Sequence, residues 1–268
     1  MSIDTIGPGR FCNQVIRSSF ASILAKKFDL AVDYAYGAEL SRLGLEFFNG
    51  SVVLPGEFTQ TTEDAVLDII EERAPPAATK YSFHNNECYF QSKRHTALLR
   101  EWLRAQVDKI RAANPFAGRY RNNSDVFLHV RLGDVPGYNP GIEYFRAALG
   151  RVGASVAGGP AAVGGPVAVG GPAAVGGPAV AGCISSDSPG HPLVQQLVSE
   201  YPGLKIVHTG DLVQLIQFAS TFAHVILSHG SFSAVIGFLA FDSTVYYAPY
   251  NTIWCGDMFT QPDWVLVE

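Results

Sequence analysis

"CISSDSPGHPLVQQLVSEYPGLKIVHTGDLVQLIQFASTFAHVILSHGSFSAVIGFLAFDSTVYYA", Cys183 to Ala248, alternates short apolar runs with longer amphipathic ones. The short runs "CISSD" (183–187), "LKIVHT" (204–209), "HVILS" (224–228) and "STVYYA" (243–248) read as strands. Between them "HPLVQQLVSEY", "DLVQLIQFAST" and "SFSAVIGFLAF" read as helices, with Asp211 in the first turn of the second. Apolar strands alternating with helices predict a parallel sheet covered on both faces. Upstream, "DVFLHV" (125–130) and "GIEYFRAALGRV" (141–152) add one more strand and helix to the same pattern.

A stretch without charge interrupts it. "GGPAAVGGPVAVGGPAAVGGPAVAG", Gly158 to Gly182, is four rough copies of a six-residue unit. Glycine disfavours helix and proline removes a ladder donor. The composition predicts a surface insert of low order, removable with the fold intact.

The first half is less regular. "FCNQVIRSSFASILAKKF" (11–28) predicts a helix with Val15, Ser19, Ala21 and Leu24 near one face. "DLAVDY" (29–34) predicts a strand. "TEDAVLDIIEER" (62–73) predicts an amphipathic helix capped by Thr62. "KRHTALLREWLRAQVDKIRAA" (93–113) predicts the longest helix of the chain. A break near residues 114–124, with Pro115 and Gly118, divides the chain into lobes at 1–120 and 121–268 with a cleft between them.

With 268 residues, 47% hydrophobic and 16% charged, the chain can bury a sizeable core. Its formal net charge of −5 argues against a nucleic-acid partner. Cys12, Cys88, Cys183 and Cys255 are widely spaced and read as free thiols. His84 and Cys88 lie four apart, but two ligands do not make a metal site. No stretch has the length of a membrane span or the pattern of a leader, so the expectation is a cytoplasmic protein.

In sheets of this kind ligands sit beyond the carboxyl ends of the strands. Three predicted strand ends carry polar chemistry. One gives His129, Arg131, Gly133 and Asp134; another gives Ser185, Ser186 and Asp187. The third gives Ser228, His229, Gly230, Ser231 and Ser233 and runs straight into a helix. Hydroxyls and bare N–H groups at a helix start, with an arginine fork nearby, suit phosphate. Each piece alone also reads as a cap, a turn or a strand edge.

Together these residues resemble the fucosyltransferase superfamily, most closely its α-1,2 group. "GRFCNQ" (Gly9 to Gln14) resembles a Gly-x-Leu-Gly-Asn-Gln loop, and "HVRLGD" (His129 to Asp134) a His-x-Arg-Arg-Gly-Asp motif. "ISSDSP" resembles a Ser-Asp-Asp strand end, and "LSHGSFSAVIGFLA" (227–240) an Asn-Ser-Ser-Phe-Ser-Trp-Trp segment. The resemblance implies an α/β, GT-B-like fold of two Rossmann-like lobes with parallel sheets, an acceptor-side lobe at 1–120 and a nucleotide-sugar-binding lobe at 121–268. It implies L-fucose transfer from GDP-β-L-fucose to a glycan hydroxyl, with inversion and without a metal or other cofactor.

By position, Arg131 would bind the diphosphate, with Asp134 in the same motif, and His129 and Asp187 would lie near the guanosine. Ser231, Phe232 and Ser233 would hold phosphate and base, while Gly9 and Asn13 would close from the N-terminal lobe. The chain departs from the pattern at Cys12, Leu132, His229, Gly230, Ala234 and Val235. Leu132, in place of a second arginine, also fits an inactive nucleotide-sugar or glycan binder, or a transferase of another deoxysugar. A hydrolase elbow of the form Gly-x-Ser-x-Gly is absent around Ser231.

Overall fold

The computed structural model describes residues 1–6, 9–84, 89–133, 137, 139–156, 180–249 and 256–268. The chain divides into two compact units, Met1–Ala117 with Thr252–Gln261 and Gly118–Asn251 with Pro262–Glu268. Each is α/β with an all-parallel sheet. Among the described residues no helix is long and apolar enough to cross a membrane.

The first unit runs β1 (Ile3–Asp4), α1 (Phe11–Phe28), β2 (Val32–Asp33), α2 (Gly37–Arg42), β3 (Phe58–Gln60), α3 (Glu63–Ile70), β4 (Lys80–Ser82), α4 (Lys93–Arg104) and α5 (Val107–Ala113). Its strands lie in the order β2-β1-β4-β3. Thr62 caps α3 as expected, its hydroxyl accepting from Ala65 N at 3.2 Å.

Two sequence expectations need correction here. The helix expected over 93–113 is broken at Ala105–Gln106, so α1 is longer than either piece. Gln106 Oε1 accepts from Glu46 N at 2.7 Å, and beyond the break α5 packs onto Gly44, where a Cβ would come within 2.7 Å of the Lys109 carbonyl. Side-chain competition for the backbone and close approach to a glycine redirect the helix axis.

Nor does α1 bury a single face: every residue from Phe11 to Ser22 is buried. Several of the polar ones are met locally, although Ser18 Oγ has no hydrogen-bond partner among the described residues. Ser19 Oγ donates to Val15 O at 2.8 Å, Ser22 Oγ accepts from Phe48 N at 2.8 Å, and the Arg17 guanidinium sits 4.8 Å over the Tyr89 ring. Buried polar groups are tolerated when partnered in this way.

The second unit runs β5 (Val126–Val130), α6 (Ile142–Val156), β6 (Gly182–Ser186), α7 (Pro192–Glu200), β7 (Leu204–Ile206), α8 (Leu212–Ala219), β8 (His224–Ile226), α9 (Ser231–Leu239), β9 (Thr244–Tyr247) and β10 (Val265–Leu266). The strand order β10-β9-β8-β5-β6-β7 is the doubly wound order of Rossmann domains, reversing between β5 and β8. β5 is buried along its whole length. Val126, Leu128 and Val130 face α6 and α7 in a core with Phe145, Leu149, Val194 and Leu197. Phe127 points to the opposite face and meets Phe222 at 5.5 Å. Burying each such side chain contributes about 2 kcal/mol, which is why this run becomes a central strand.

Most of the low-complexity stretch lies outside the described residues, but its final three residues do not fit the expectation of a removable insert. Val180 is buried in the core beside α6 and α7. Ala181 O accepts from Val126 N, and Gly182 opens β6 between Val126 and Leu204. A Cβ at Gly182 would overlap the Val126 carbonyl oxygen. The repeat therefore ends inside the fold.

Two glycine substitutions should act in opposite directions in urea unfolding. Gly182→Ala should lower stability by roughly 1–3 kcal/mol through overpacking. Gly150→Ala, on the exposed face of α6 with nothing near the new methyl, should raise it by about 0.5–1 kcal/mol.

Candidate functional site

The site is built on the carboxyl ends of β5, β6 and β8. As β5 ends, Leu132 N and Gly133 N both donate to the Asp187 carboxylate, at 2.8 and 3.0 Å. That carboxylate, just past β6, thus clamps the end of the neighbouring strand. Gly133 permits the approach, since a Cβ there would lie 2.8 Å from Asp187 Oδ2. On the other side Asn139 Nδ2 donates to Arg131 O at 2.9 Å, and Asn139 Oδ1 accepts from Gly141 N at 2.9 Å. The backbone around Arg131 is held from both flanks.

The Arg131 side chain lies across the start of α9. Gly230, the residue before the helix, has φ +108°, a region that favours glycine. A Cβ there would overlap Arg131 Nη1 and lie 3.2 Å from Cζ. Gly230 supplies no capping side chain, and the first turn of α9 contains no acid. The N–H groups of that turn have no intrahelical acceptor and sit at the positive end of the dipole. Ser228 Oγ, at the end of β8, is buried and has no hydrogen-bond partner among the described residues. A guanidinium, a helix start and an unmatched hydroxyl together have the chemistry to hold an anion.

His129 lines the same place. Its ring is buried, Nδ1 lies 2.6 Å from Ser233 Oγ, and the ring centroid is 4.8 Å from that of Phe232. Burial pushes its pKa from 6.5 down to about 4; Asp187 opposes this and Arg131 adds to it. The imidazole is neutral at pH 7. Among the described residues no group of three or more His, Cys, Asp or Glu is placed to hold a metal ion.

Of the residues singled out in the sequence, His129, Arg131, Asp187, Ser231, Phe232 and Ser233 come together here, where the strand order reverses between β5 and β8. Asp134 lies outside the described residues. Gly9 and Asn13 belong to the first unit. Gly9 has φ +102° and no room for a Cβ beside Asn13 Nδ2, and Asn13 Oδ1 accepts from Gln91 Nε2 at 3.1 Å. His229 turns to Pro249, donating through Nε2 to its carbonyl at 3.1 Å.

Position 132 corrects an expectation. The Leu132 side chain packs against the α6–α7 core, on the face opposite Arg131. It is therefore not the vacancy of a second cation beside Arg131. Ser228 is one of the hydroxyls expected at the third strand end, whereas Asn139 has no role in the sequence reading, since an Asn in a turn carries no distinguishing signal.

No family model matches the chain, and no curated protein sequence matches it. Among solved structures it is similar to the selenomethionine form of the fucosyltransferase NodZ from Bradyrhizobium, at 13% identity and a TM-score of 0.46, over 88% of this chain and 90% of that one. It is also similar to NodZ alpha-1,6-fucosyltransferase co-crystallised with GDP, at 13% identity and a TM-score of 0.45, over 88% and 91%. At such identities the likeness says nothing of which side chains act.

The burial of His129 sets a pH dependence. The unfolded ring takes a proton near its ordinary 6.5 and the folded ring only near 4, so stability is full above 6.5 and is lost as pH falls through that window. At 1.36 kcal/mol per pH unit the loss is about 3 kcal/mol. Urea unfolding between pH 7 and pH 4 should show His129→Gln falling less steeply than the wild type by about this amount.

Proposed function

We propose that this chain is a glycosyltransferase that takes a nucleoside-diphosphate sugar as donor. In the finer reading it moves L-fucose from GDP-β-L-fucose to a glycan hydroxyl, with inversion and without a metal. The observation that carries the reading is the packing of the Arg131 guanidinium on Gly230 at the start of α9, where the strand order reverses. The motif resemblance of "HVRLGD" and "GSFS" directs it to GDP-fucose.

The chemistry follows from charge. As the bond from the anomeric carbon to the diphosphate breaks, negative charge grows on the leaving group. A planar guanidinium grips two of its oxygens, and the N–H groups of the first turn of α9 meet a third. Both are in place before the reaction, so little reorganisation is needed. Ser231 adds a hydroxyl to the phosphates, and Ser233, fully buried, holds the His129 ring. Phe232, half-buried beside neutral His129, offers a ring for the base. Asp187 keeps the Arg131 segment in register and retains lone pairs for a donor on the base.

Calorimetry should show GDP binding and no comparable binding of UDP; equal binding of both, or of neither, would sink the reading. Arg131→Ala should lose transfer by about a hundredfold or more, roughly 3 kcal/mol in barrier, with circular dichroism unchanged. Arg131→Lys should recover little, because an ammonium lacks the fork. Transfer should persist in EDTA.

A further inference from the structure

The first unit holds a serine, a histidine and a carbonyl in a chain of hydrogen bonds. Ser92 is the residue before α4, and His95 lies in the first turn of that helix. Ser92 Oγ and His95 Nδ1 are 2.6 Å apart, and His95 Nε2 lies 3.1 Å from Glu63 O. A carbonyl only accepts, so Nε2 carries the proton of the neutral ring and Nδ1 the lone pair. The Ser92 hydroxyl therefore donates to Nδ1. The ring is buried, edge-on to Phe20 and Phe90 at 5.4 and 5.6 Å. Burial, aided by Arg94, lowers its pKa against the pull of Glu63 O, Asp64 and Glu71, so the ring is neutral at pH 7. Ser92 itself is part-exposed.

A helix cap needs less than this. Ser92 Oγ accepts from His95 N at 3.5 Å, which an Asn, Asp or Thr would also do at that position. The surroundings fix the serine and the ring as a pair. The Glu63 carboxylate accepts from the N–H groups of Tyr89, Phe90 and Gln91, directly before Ser92, while the carbonyl of the same residue orients His95. Phe90 is held at φ +54°, costly for a bulky residue. The chain at Gly256 lies against the Gln91–Ser92 peptide, where a Cβ would come within 2.8 Å of Ser92 N. A nucleophile, a base within hydrogen-bond reach and a third group that orients the base are the parts of an activated serine. Lys93 N and Arg94 N, in the first turn of α4, have no acceptor within the helix and offer donors to an oxyanion.

We propose that Ser92 is the nucleophile and His95 the general base of a second site, which hydrolyses a small carboxylic ester. This site needs nothing from the transferase reading. The Oγ pair forms the bond to the acyl carbon as the hydroxyl proton passes to Nδ1, and the carbonyl π pair moves onto its oxygen. That pair returns, the bond from the acyl carbon to the alcohol oxygen breaks, and the leaving oxygen takes the proton from Nδ1. Water repeats the attack on acyl-Ser92, giving a proton to Nδ1, and the departing Oγ recovers it as the carboxylic acid leaves. The ester is small because Ser92 is only part-exposed and the chain at Gly256 lies against it.

The test uses the intact protein with p-nitrophenyl acetate and an alkyl fluorophosphonate as probes. The wild type should hydrolyse the acetate over many turnovers. Peptide mass spectrometry should place the phosphonyl group on Ser92 in the native protein and not in protein unfolded in urea. Ser92→Asn keeps a capping side chain but has no hydroxyl, so it should melt close to the wild type and lose both reactions. His95→Gln keeps a donor toward Glu63 O but has no base, and should slow labelling of Ser92 a hundredfold or more. An unlabelled Ser92 in the native wild type, hydrolysis that survives Ser92→Asn, or labelling at the wild-type rate in His95→Gln would overturn the proposal. The first of these outcomes requires no variant to fold.

Discussion

Arg131 can lie across the start of α9 because residue 230 has no Cβ. The same position, with φ +108°, lets the chain turn from β8 into the helix without a capping side chain. One glycine therefore does two things: it admits the cation, and it leaves the helix start uncapped. Any other residue would push the guanidinium out and strain the turn. The charge of the site depends on this contact, since His129 is neutral and the Asp187 carboxylate already accepts two backbone N–H groups.

The surrounding fold serves to hold that contact still. β5 is a central strand, buried on both faces, and its last residues are tied to Asp187 on one flank and Asn139 on the other. The cation thus leaves a rigid element, as a preorganised charge must. Leu132, facing the α6–α7 core, anchors the same segment from below.

The first unit solves a different problem. Its central helix α1 is buried through Ser22, although it carries Asn13, Gln14, Arg17 and three serines in that span. Ser19, Ser22 and Arg17 find backbone or aromatic partners within the unit, whereas Ser18 Oγ has no hydrogen-bond partner among the described residues. At the carboxyl ends of its sheet the polar and aromatic groups are instead exposed, with His84 and Tyr36 held by backbone hydrogen bonds around them.

Periodicity by itself determined the α/β class, the parallel sheet of the second unit and the helix over 11–28, because these depend on which residues avoid water along the chain. The loaded strand ends at His129, Arg131, Asp187 and Ser231 were legible for the same reason: polar residues directly after an apolar run mark where a strand leaves the core. Tertiary structure alone decided the rest. The break in the helix over 93–113 needed Gln106 to meet Glu46 and α5 to meet Gly44, contacts 60 or more residues apart in sequence. The burial of all sides of α1 depended on what surrounds it, which its own pattern does not record. That Val180–Gly182 belong to the core depended on Val126 and Gly203 lying beside them. And that residue 132 faces away from Arg131, while Gly230 lies under it, follows from strand alternation and a backbone angle, neither of which a one-dimensional motif contains.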